Sequence, residues 1–222
     1  MMDMTPSKSA QNRMTGKHQV EEQRASILDA AETLFLQTGL DNTTMVEIAR
    51  QAGITKVTLY RYFSNRDEIA LAIHLRMLNK ITSTIDLGEG DPAGSESTLV
   101  DQRRRARAMI RNFSQLRDAY RYVGMFDKIY LDDAPDAVLT QWTKERLVSM
   151  GYGRQTTGEA QGSHSPTSQI PVIMNTVIWF LEKLALRGEL TWSDQTVPLE
   201  EHLRVFEAMI MGYFDRLEDL AP

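Results

Sequence analysis

Cysteine does not occur in this chain of 222 residues, which excludes disulfide bonds and thiolate metal sites. The sequence also lacks any apolar run of about eighteen residues, the length that a membrane-spanning helix needs. Its first nineteen residues have no apolar stretch of the kind found in signal peptides. These absences predict a cytoplasmic protein without a membrane partner.

Signatures of enzymes are missing as well. The four histidines are scattered without metal-ligand spacing, and no G-x-S-x-G nucleophile motif occurs. The glycine-rich stretch 151–158 follows no predicted strand and lacks the Lys-Ser/Thr ending of a phosphate-binding loop. We therefore predict a protein that is not an enzyme and uses no metal or cofactor.

Alternation of apolar and polar residues, the pattern of a β-strand, is absent, whereas helical spacing recurs along the whole chain. We therefore predict an all-α fold of about nine helices. The predicted helices cover about residues 20–38, 44–52, 55–63, 65–84, 97–117, 118–133, 135–150, 170–188 and 198–218. The stretches 87–97 and 151–169 are predicted loops, since they are rich in glycine and lack helical periodicity.

Charge is distributed unevenly along the chain, whose formal net charge is −5. Residues 1–66 carry eight cations and seven acids, a net charge of +1, which leaves −6 for the remainder. Between Thr55 and Arg66 there are three cations and no acid. A small basic surface on an acidic body suits a protein that binds DNA at one end.

The stretch Thr43–Arg66, TTMVEIARQAGITKVTLYRYFSNR, has the pattern of two short helices joined by a tight turn. Thr44 and Glu47 have the spacing of a capping box, and Gly53 suits a turn that needs a positive φ. Thr55 is positioned to cap the second helix. This arrangement predicts a helix-turn-helix, whose second helix enters the major groove of DNA.

The same stretch resembles the DNA-binding signature of the TetR family of bacterial transcriptional regulators. The similar segments are T-T-M-x-E-I-A-x-x-A-G-I, T-K-x-T-L-Y-x-Y-F and S-N-R-D-E, within about residues 20–70. The resemblance implies an N-terminal three-helix DNA-binding head followed by a C-terminal helical domain for ligand binding and dimerisation. We accordingly divide the chain into a disordered tail at 1–19, a head at 20–66 and a C-terminal domain at 67–222. The alternative for the tail is a basic arm that reaches into the minor groove.

The predicted DNA contacts lie on and around the second helix of the motif. Leu59 and Phe63 are expected to pack inward, which leaves the neighbouring side chains near the groove. By resemblance, the DNA contacts of the family map onto Thr44, Thr55, Lys56, Val57, Thr58, Tyr60 and Arg66. Val46, Arg61 and Tyr62 are further predicted contacts because of their positions in the motif. For Tyr62, packing inside the head is an equal alternative.

Two valines depart from the family pattern. Position 57 is most often glycine in this signature, and the site of Val46 usually carries a polar or basic residue. Exposed apolar side chains are unfavourable in water unless something apolar covers them. We therefore predict that thymine methyl groups contact Val46 and Val57 in the DNA complex.

One such head buries little DNA surface, so useful affinity requires two heads on a palindromic operator. The segments 170–188 and 198–218 are apolar over a wide arc, and we predict that they form a four-helix homodimer interface. The predicted interface residues are Val172, Asn175, Trp179, Phe206, Ile210, Tyr213 and Phe214.

Bulky side chains of the C-terminal domain are candidates for lining a pocket for a small, largely hydrophobic effector. They are Met109, Phe113, Tyr122, Phe126, Tyr130, Trp142 and Trp179, each of which is also compatible with ordinary core packing. The four arginines at 103, 104, 105 and 107 are expected on a solvated outer face, with an anionic ligand or a second DNA contact as the alternative.

The favoured function is therefore a dimeric transcriptional regulator, most simply a repressor, which a small ligand releases from its operator. The alternative is a DNA-binding regulator on the same scaffold that a protein partner controls, without a small-molecule inducer.

Overall fold

The computed structural model describes residues 8–84, 99–133, 170–187, 191–192 and 195–219. The chain divides into two compact units, Met1–Leu75 and Arg76–Pro222. Apart from one pair of two-residue strands, the described secondary structure is helical, which confirms the predicted all-α fold class. None of the described helices is long and apolar enough to cross a membrane.

The first unit contains α1 (Lys8–Thr38), α2 (Met45–Gln51), α3 (Lys56–Tyr60) and the beginning of α4 (Arg66–Ser83). Each helix contributes a stripe of apolar side chains to the interior of the unit. The buried residues include Ile27, Ala31, Phe35, Leu40, Ile48, Leu59, Phe63, Ile69 and Ile73. The boundary between the units falls inside α4, so residues 66–75 belong to the same unit as the helix-turn-helix.

Local signals set the helix ends of this unit, as the sequence predicts. Gly39 has a φ of 90° after α1, and Gly53 has a φ of 66° in the turn after α2. Asn65 caps α4, because its Oδ1 accepts a hydrogen bond from the N–H of Glu68 at 2.8 Å. The Glu68 carboxylate in turn accepts a hydrogen bond from the N–H of Ser64 at 2.7 Å.

Residues 8–19 differ from the prediction of a disordered tail, because α1 already begins at Lys8. The segment contains no proline, and its alanine, glutamine, lysine, arginine and methionine residues favour helix. Gly16 costs about 1 kcal/mol relative to alanine within a helix, which the continuous α1 tolerates. The polar composition that suggested disorder is equally compatible with an exposed helix.

The second unit contains α5 (Leu99–Arg111), α6 (Phe113–Asp127), a π-helical segment (Lys128–Asp133), α7 (Ile170–Arg187) and α8 (Leu199–Asp219). One antiparallel pair, β1 (Thr191–Trp192) and β2 (Gln195–Thr196), lies between α7 and α8 in the sequence. These strands are too short to produce the alternation that a sequence pattern requires.

The helices of the second unit pack closely on one another. α5 contacts α7 and α8, and α6 packs along α7. At Gly124 of α6, an added Cβ would lie 3.1 Å from Leu186 Cδ1 and 3.2 Å from Glu182 Cβ, both on α7. The absence of a side chain at Gly124 therefore permits the close approach of α6 and α7.

Asn112 separates α5 from α6, whereas the sequence predicts helices over 97–117 and 118–133. Its φ of −88° and ψ of 4° interrupt the helical backbone. Because buried apolar residues continue across the break, from Ile110 to Phe113, the periodicity does not reveal it. The predicted helix at 135–150 and the predicted loops lie outside the described residues.

Candidate nucleic-acid interface

α3 combines a buried anchor with an exposed outer face. Leu59 is fully buried and Phe63 almost so, as their spacing predicts. Val57 is 75% exposed and Tyr60 is 46% exposed, and Lys56 is also exposed. The Lys56 Nζ lies 5.7 Å from the centroid of the Tyr60 ring. α3 therefore presents a cation, an apolar group and an aromatic ring, at the position of a recognition helix in the helix-turn-helix.

Two threonines fix the beginning of α3. Thr55 Oγ1 accepts a hydrogen bond from the N–H of Thr58 at 3.1 Å, and the two hydroxyl oxygens lie 2.9 Å apart. A threonine hydroxyl has one donor and two acceptor positions, so the pair keeps bonding capacity beyond the cap. Both predicted contacts therefore lie where a hydroxyl can reach DNA while the helix remains capped.

Arg24 of α1 supports the segment that follows α3, a role that the sequence did not reveal. Its Nη1 donates a hydrogen bond to the carbonyl oxygen of Tyr62 at 3.0 Å, and its guanidinium carbon lies 4.1 Å from the centroid of the Phe63 ring. The contact combines a hydrogen bond with a cation–π interaction. Because 38 residues separate Arg24 from Tyr62, no local pattern indicates it.

A capping box closes the beginning of α2. The hydroxyl and the N–H of Thr44 both donate to Glu47 Oε2 at 2.8 Å, and the N–H of Glu47 donates to the Thr44 hydroxyl at 3.3 Å. The side-chain bond from Thr44, and then its main-chain bond, lower the pKa of Glu47 below the ordinary value. The Glu47 carboxylate therefore occupies the hydroxyl and the N–H of Thr44, the groups predicted to contact a phosphate.

Three further predicted contacts surround α3. Val46 of α2 is 56% exposed, and Arg61, directly after α3, is also exposed. Tyr62 is partly buried, and its carbonyl group is engaged by Arg24. The side chains of Val46 and Arg61 are thus accessible from outside the head. The partial burial of Tyr62 is compatible both with a DNA contact and with packing inside the head.

Arg66 is partly buried in the first turn of α4. Its Nη1 donates a hydrogen bond to the carbonyl oxygen of Asp41 at 3.1 Å, and its Nη2 lies 3.6 Å from the carboxylate of Asp67. A guanidinium carries five N–H groups, so a phosphate contact remains available to the others.

Four of the predicted pocket residues are buried in the core of the second unit, namely Met109, Phe113, Tyr122 and Phe126. Tyr130 is partly exposed, and its ring centroid lies 4.5 Å from that of Phe126. Trp179 is 60% exposed and so does not belong to this core, while Trp142 lies outside the described residues.

α7 and α8 each carry an exposed apolar face. On α7, Val172, Asn175 and Trp179 are exposed at helical spacing, as predicted for an interface. On α8, exposed Val205, Met209 and Tyr213 succeed one another at intervals of four residues. Ala208 and Gly212, two small residues of this stretch, are also exposed.

The other predicted interface residues of α8 face the interior of the chain. Phe206 and Ile210 are 8% exposed, and Phe214 is fully buried. The Phe206 ring stacks on Phe180 of α7 with 3.9 Å between the centroids. The bulkier stripe of α8 thus fills the core of its own unit, and the neighbouring stripe is exposed. Of the interface residues predicted on α8, only Tyr213 lies on the exposed stripe.

The arginines of α5 do not form the solvated face that the sequence predicts. Arg103 pairs with Asp215, and with Glu218 at 3.0 Å, on α8. Arg105 is only 7% exposed, while Arg104 is exposed. A run of charged residues in a sequence does not show which of their side chains a neighbouring helix covers.

A helix-turn-helix with an exposed second helix, followed in the chain by a helical unit, is the arrangement found in many helix-turn-helix DNA-binding proteins. The family model described as "Bacterial regulatory proteins, tetR family" matches residues 27–73. This segment contains the whole of α2 and α3 and the Arg66 turn of α4.

Curated relatives match mainly over the same part of the chain. The transcriptional regulator HbdR of Aromatoleum sp. (strain CIB) is 38% identical over 68 residues, 31% of this chain and 30% of that protein. TtgR of Pseudomonas putida is 39% identical over 57 residues, 26% of this chain and 27% of that protein. The transcriptional activator FasR of Mycolicibacterium smegmatis is 29% identical over 124 residues, 55% of this chain and 53% of that protein. The chain thus spans about a third or less of the first two of these relatives and about half of FasR.

Solved structures share the fold over most of the chain. A TetR family transcription regulator from Marinobacter aquaeolei VT8 has a TM-score of 0.58 at 18% identity, covering 89% of this chain and 97% of that one. The fatty acid degradation regulator FadR of Bacillus halodurans has a TM-score of 0.51 at 16% identity, covering 85% and 94%. At these identities the likeness shows the fold alone. Residues 27–73 are thus similar in sequence to the DNA-binding part of TetR-family regulators, and most of the chain is similar in fold to solved structures of that family.

Proposed function

We propose that this chain is a dimeric, sequence-specific DNA-binding regulator, most simply a repressor, which a small and largely hydrophobic ligand releases from a palindromic operator. The exposed face of α3 carries the proposal. Val57 and Tyr60 are strongly exposed although the neighbouring Leu59 is fully buried, so the head displays these groups instead of packing them. Display of an apolar and an aromatic side chain on a short, capped helix is favourable when DNA covers them.

DNA recognition is divided between base edges and phosphates. Lys56 and Val57 on α3 are the proposed contacts with base edges in the major groove. Arg61 and Arg66 are the proposed phosphate contacts, which orient the head without reading sequence. Since each phosphate contact releases counterions, binding should weaken steeply as salt increases.

Dimerisation through α7 and α8 supplies the second head. Each of the two helices has an exposed apolar face, with Val172 and Trp179 on α7 and with Met209 and Tyr213 on α8, which is more than scattered surface residues require. Burial of these faces against the same faces of a second copy forms a two-fold interface. A two-fold dimer reads two half-sites about one helical turn apart, so the operator is expected to be a palindrome.

Ligand control is proposed for the aromatic core of the second unit. Phe113 stacks on Tyr120 at 5.7 Å between centroids, and Tyr122 and Phe126 are fully buried nearby in the sequence. A ligand that binds one dimer conformation more tightly than the other shifts the population between them. One relative bears the name of an activator, so the direction of regulation is part of the test.

Fluorescence anisotropy with DNA from the region upstream of the gene tests DNA binding. We expect tight, salt-dependent binding, and a roughly 10- to 100-fold loss of affinity for Lys56→Ala combined with Tyr60→Ala. Lys80→Ala removes an exposed cation outside the first unit and serves as the matched control, for which affinity should be unchanged. Equal binding by the double variant would contradict the proposed role of α3. A promoter–reporter fusion then distinguishes repression from activation.

A further inference from the structure

Arg105 is a buried cation on the inner face of α5. It is 7% exposed and shares the buried face with Gln102 and Met109, which lie about one turn before and one turn after it. Its Nε is buried and has no hydrogen-bond partner among the described residues. A guanidinium stays charged at any pH at which proteins are folded, so burial without a counter-charge is strongly unfavourable.

Arg103, Arg107 and Arg111 of α5 have partners on α8, which Arg105 does not share. Glu207 lies 3.5 Å from Arg107 and 2.9 Å from Arg111, and Arg103 engages Asp215 and Glu218. At about 3.6 residues per turn, the positions 103, 107 and 111 form one edge of the helix. Position 105 falls on the opposite edge, across the apolar stripe. Glu207, Asp215 and Glu218 are therefore already paired with the arginines of the first edge.

Asp101 and Glu182 are the alternative candidates for a counter-charge to Arg105. Asp101 lies one turn before Arg105 on α5 and is partly exposed. Glu182 of α7 is buried, but its Cβ lies 3.2 Å from the position of a Cβ at Gly124, so it faces α6. Substitution of each acid provides a matched test of whether it serves as the counter-charge.

We propose that Arg105, with Gln102, is the anion-binding end of the effector site, and that the effector is an amphipathic carboxylate. The guanidinium fork matches a carboxylate in a bidentate manner, and a nearly dry environment strengthens this bond. Met109 lies on the same face of α5, and Phe113 is buried at the beginning of α6, directly after the break at Asn112. Both side chains are suited to the apolar body of the ligand. The inference rests on the proposed ligand control and specifies the chemical class of the ligand.

Thermal unfolding of the full chain with defined probes tests the proposal. The probes are decanoate and dodecanoate for a linear body, and phenylacetate and cinnamate for an aromatic body, each with its methyl ester. We expect at least one carboxylate to raise the unfolding midpoint by roughly 5–10 °C at a hundredfold excess over its Kd, and its ester to do much less. Stabilisation by the fatty acids would indicate a linear ligand, and stabilisation by the aromatic acids would indicate an aromatic one.

Substitutions then separate an anion site from an internal ion pair. For Arg105→Met we expect a midpoint without ligand that is unchanged or raised, and an affinity for the carboxylate that is roughly 10- to 100-fold weaker. Arg105→Lys keeps the charge but loses the fork, so its affinity should be intermediate. Asp101→Asn and Glu182→Gln should retain the response to the carboxylate.

Three results would overturn the inference. The first is that no carboxylate of the panel stabilises the wild type. The second is that an ester stabilises it as well as the acid does, which leaves ligand control intact but removes the anion. The third is that Arg105→Met lowers the midpoint without ligand as much as Asp101→Asn or Glu182→Gln does, which reveals an internal pair. A failure of DNA binding in the anisotropy experiment is a separate result, because thermal unfolding requires no DNA.

Discussion

Arg66 and Asp41 are joined by a hydrogen bond of 3.1 Å, from the guanidinium Nη1 to the main-chain carbonyl oxygen, across 25 residues of sequence. The bond ties the first turn of α4 to the loop between α1 and α2, directly before the capped beginning of α2. The same guanidinium is a proposed phosphate contact. We therefore expect Arg66 to have a binding role besides its positioning role, and two substitutions can separate the two.

Arg66→Gln removes both roles, whereas Arg66→Lys retains the charge without the planar fork. We expect Arg66→Gln to weaken DNA binding roughly 10-fold and to reduce the slope of log K against log salt by about 1. Arg66→Lys should retain the slope and lose less affinity. Anisotropy titrations between about 50 and 200 mM salt measure both quantities. An unchanged slope for Arg66→Gln would show that the guanidinium does not contact a phosphate.

Val57 is expected to contact a thymine methyl group, because its side chain is 75% exposed beside the buried Leu59. An operator obtained by in-vitro selection allows each thymine to be replaced with uracil, which removes only the methyl group. For the wild type, one such replacement should cost about 1 kcal/mol, or roughly fivefold in affinity. For Val57→Ser the same replacement should cost nothing. The same cycle with Val46→Ser identifies the thymine that the other valine covers, and a methyl effect that persists in Val57→Ser would refute the contact.

Short-range signals explain why the head was predictable. The caps at Thr44, Thr55 and Asn65 join residues three positions apart, and Gly53 takes a φ that other residues rarely adopt. Such features depend on neighbours in the sequence, so pattern and structure agree. The exposure of Val57 follows in the same way, since Leu59 fixes which side of α3 is buried.

Long-range packing explains what the sequence did not reveal. Arg24 contacts Tyr62 across 38 residues, and the acids of α8 that pair with the arginines of α5 lie about a hundred residues away. In α8, two apolar stripes run side by side, and sequence alone favours the bulkier one for the interface. The structure buries Phe214 and exposes Met209, because α5 and the Phe180 ring of α7 pack against only one side of the helix.

Gly212 provides a test of the proposed dimer. Apart from its chain neighbours and the backbone of its own helix, none of the described residues has an atom within 4 Å of the position that a Cβ would take there, so the chain itself accommodates a side chain. Gly212→Leu also removes a helix glycine, which should stabilise the isolated chain by up to about 1 kcal/mol. If two copies pack at this face, the larger side chain separates them. We expect Gly212→Leu to be monomeric at micromolar concentration, while Gly212→Ala dissociates less.

Light scattering after size exclusion measures the molar mass of these variants. Met209→Asp provides an independent disruption, since a charge on an apolar interface is strongly unfavourable. Glu200→Leu, an exposed change in the first turn of the same helix, controls for a general effect of substitution on α8. A dimer that persists in both Gly212→Leu and Met209→Asp would exclude this face as the interface.

We expect His74 of α4 to make the first unit sensitive to acid. It is 1% exposed, and burial lowers its pKa from 6.5 to about 3. Below pH 6.5 the unfolded chain therefore binds a proton that the folded chain excludes. Stability is fully present above this pH and declines as the pH falls towards 3, with a loss of about 2 kcal/mol between pH 7 and pH 5.

Urea unfolding at pH 7, 6 and 5 measures this loss. His74→Met replaces the ring with a neutral, adaptable side chain, so stability at pH 7 changes modestly while this contribution to the pH dependence disappears. His18→Gln is the matched control, because His18 is exposed next to Glu22 and should leave the decline between pH 7 and pH 5 in place. An equal decline in His74→Met and the wild type would show that another group causes the acid sensitivity. If the decline is confined to the wild type and His18→Gln, then the first unit loses stability in acid because its buried His74 must remain neutral.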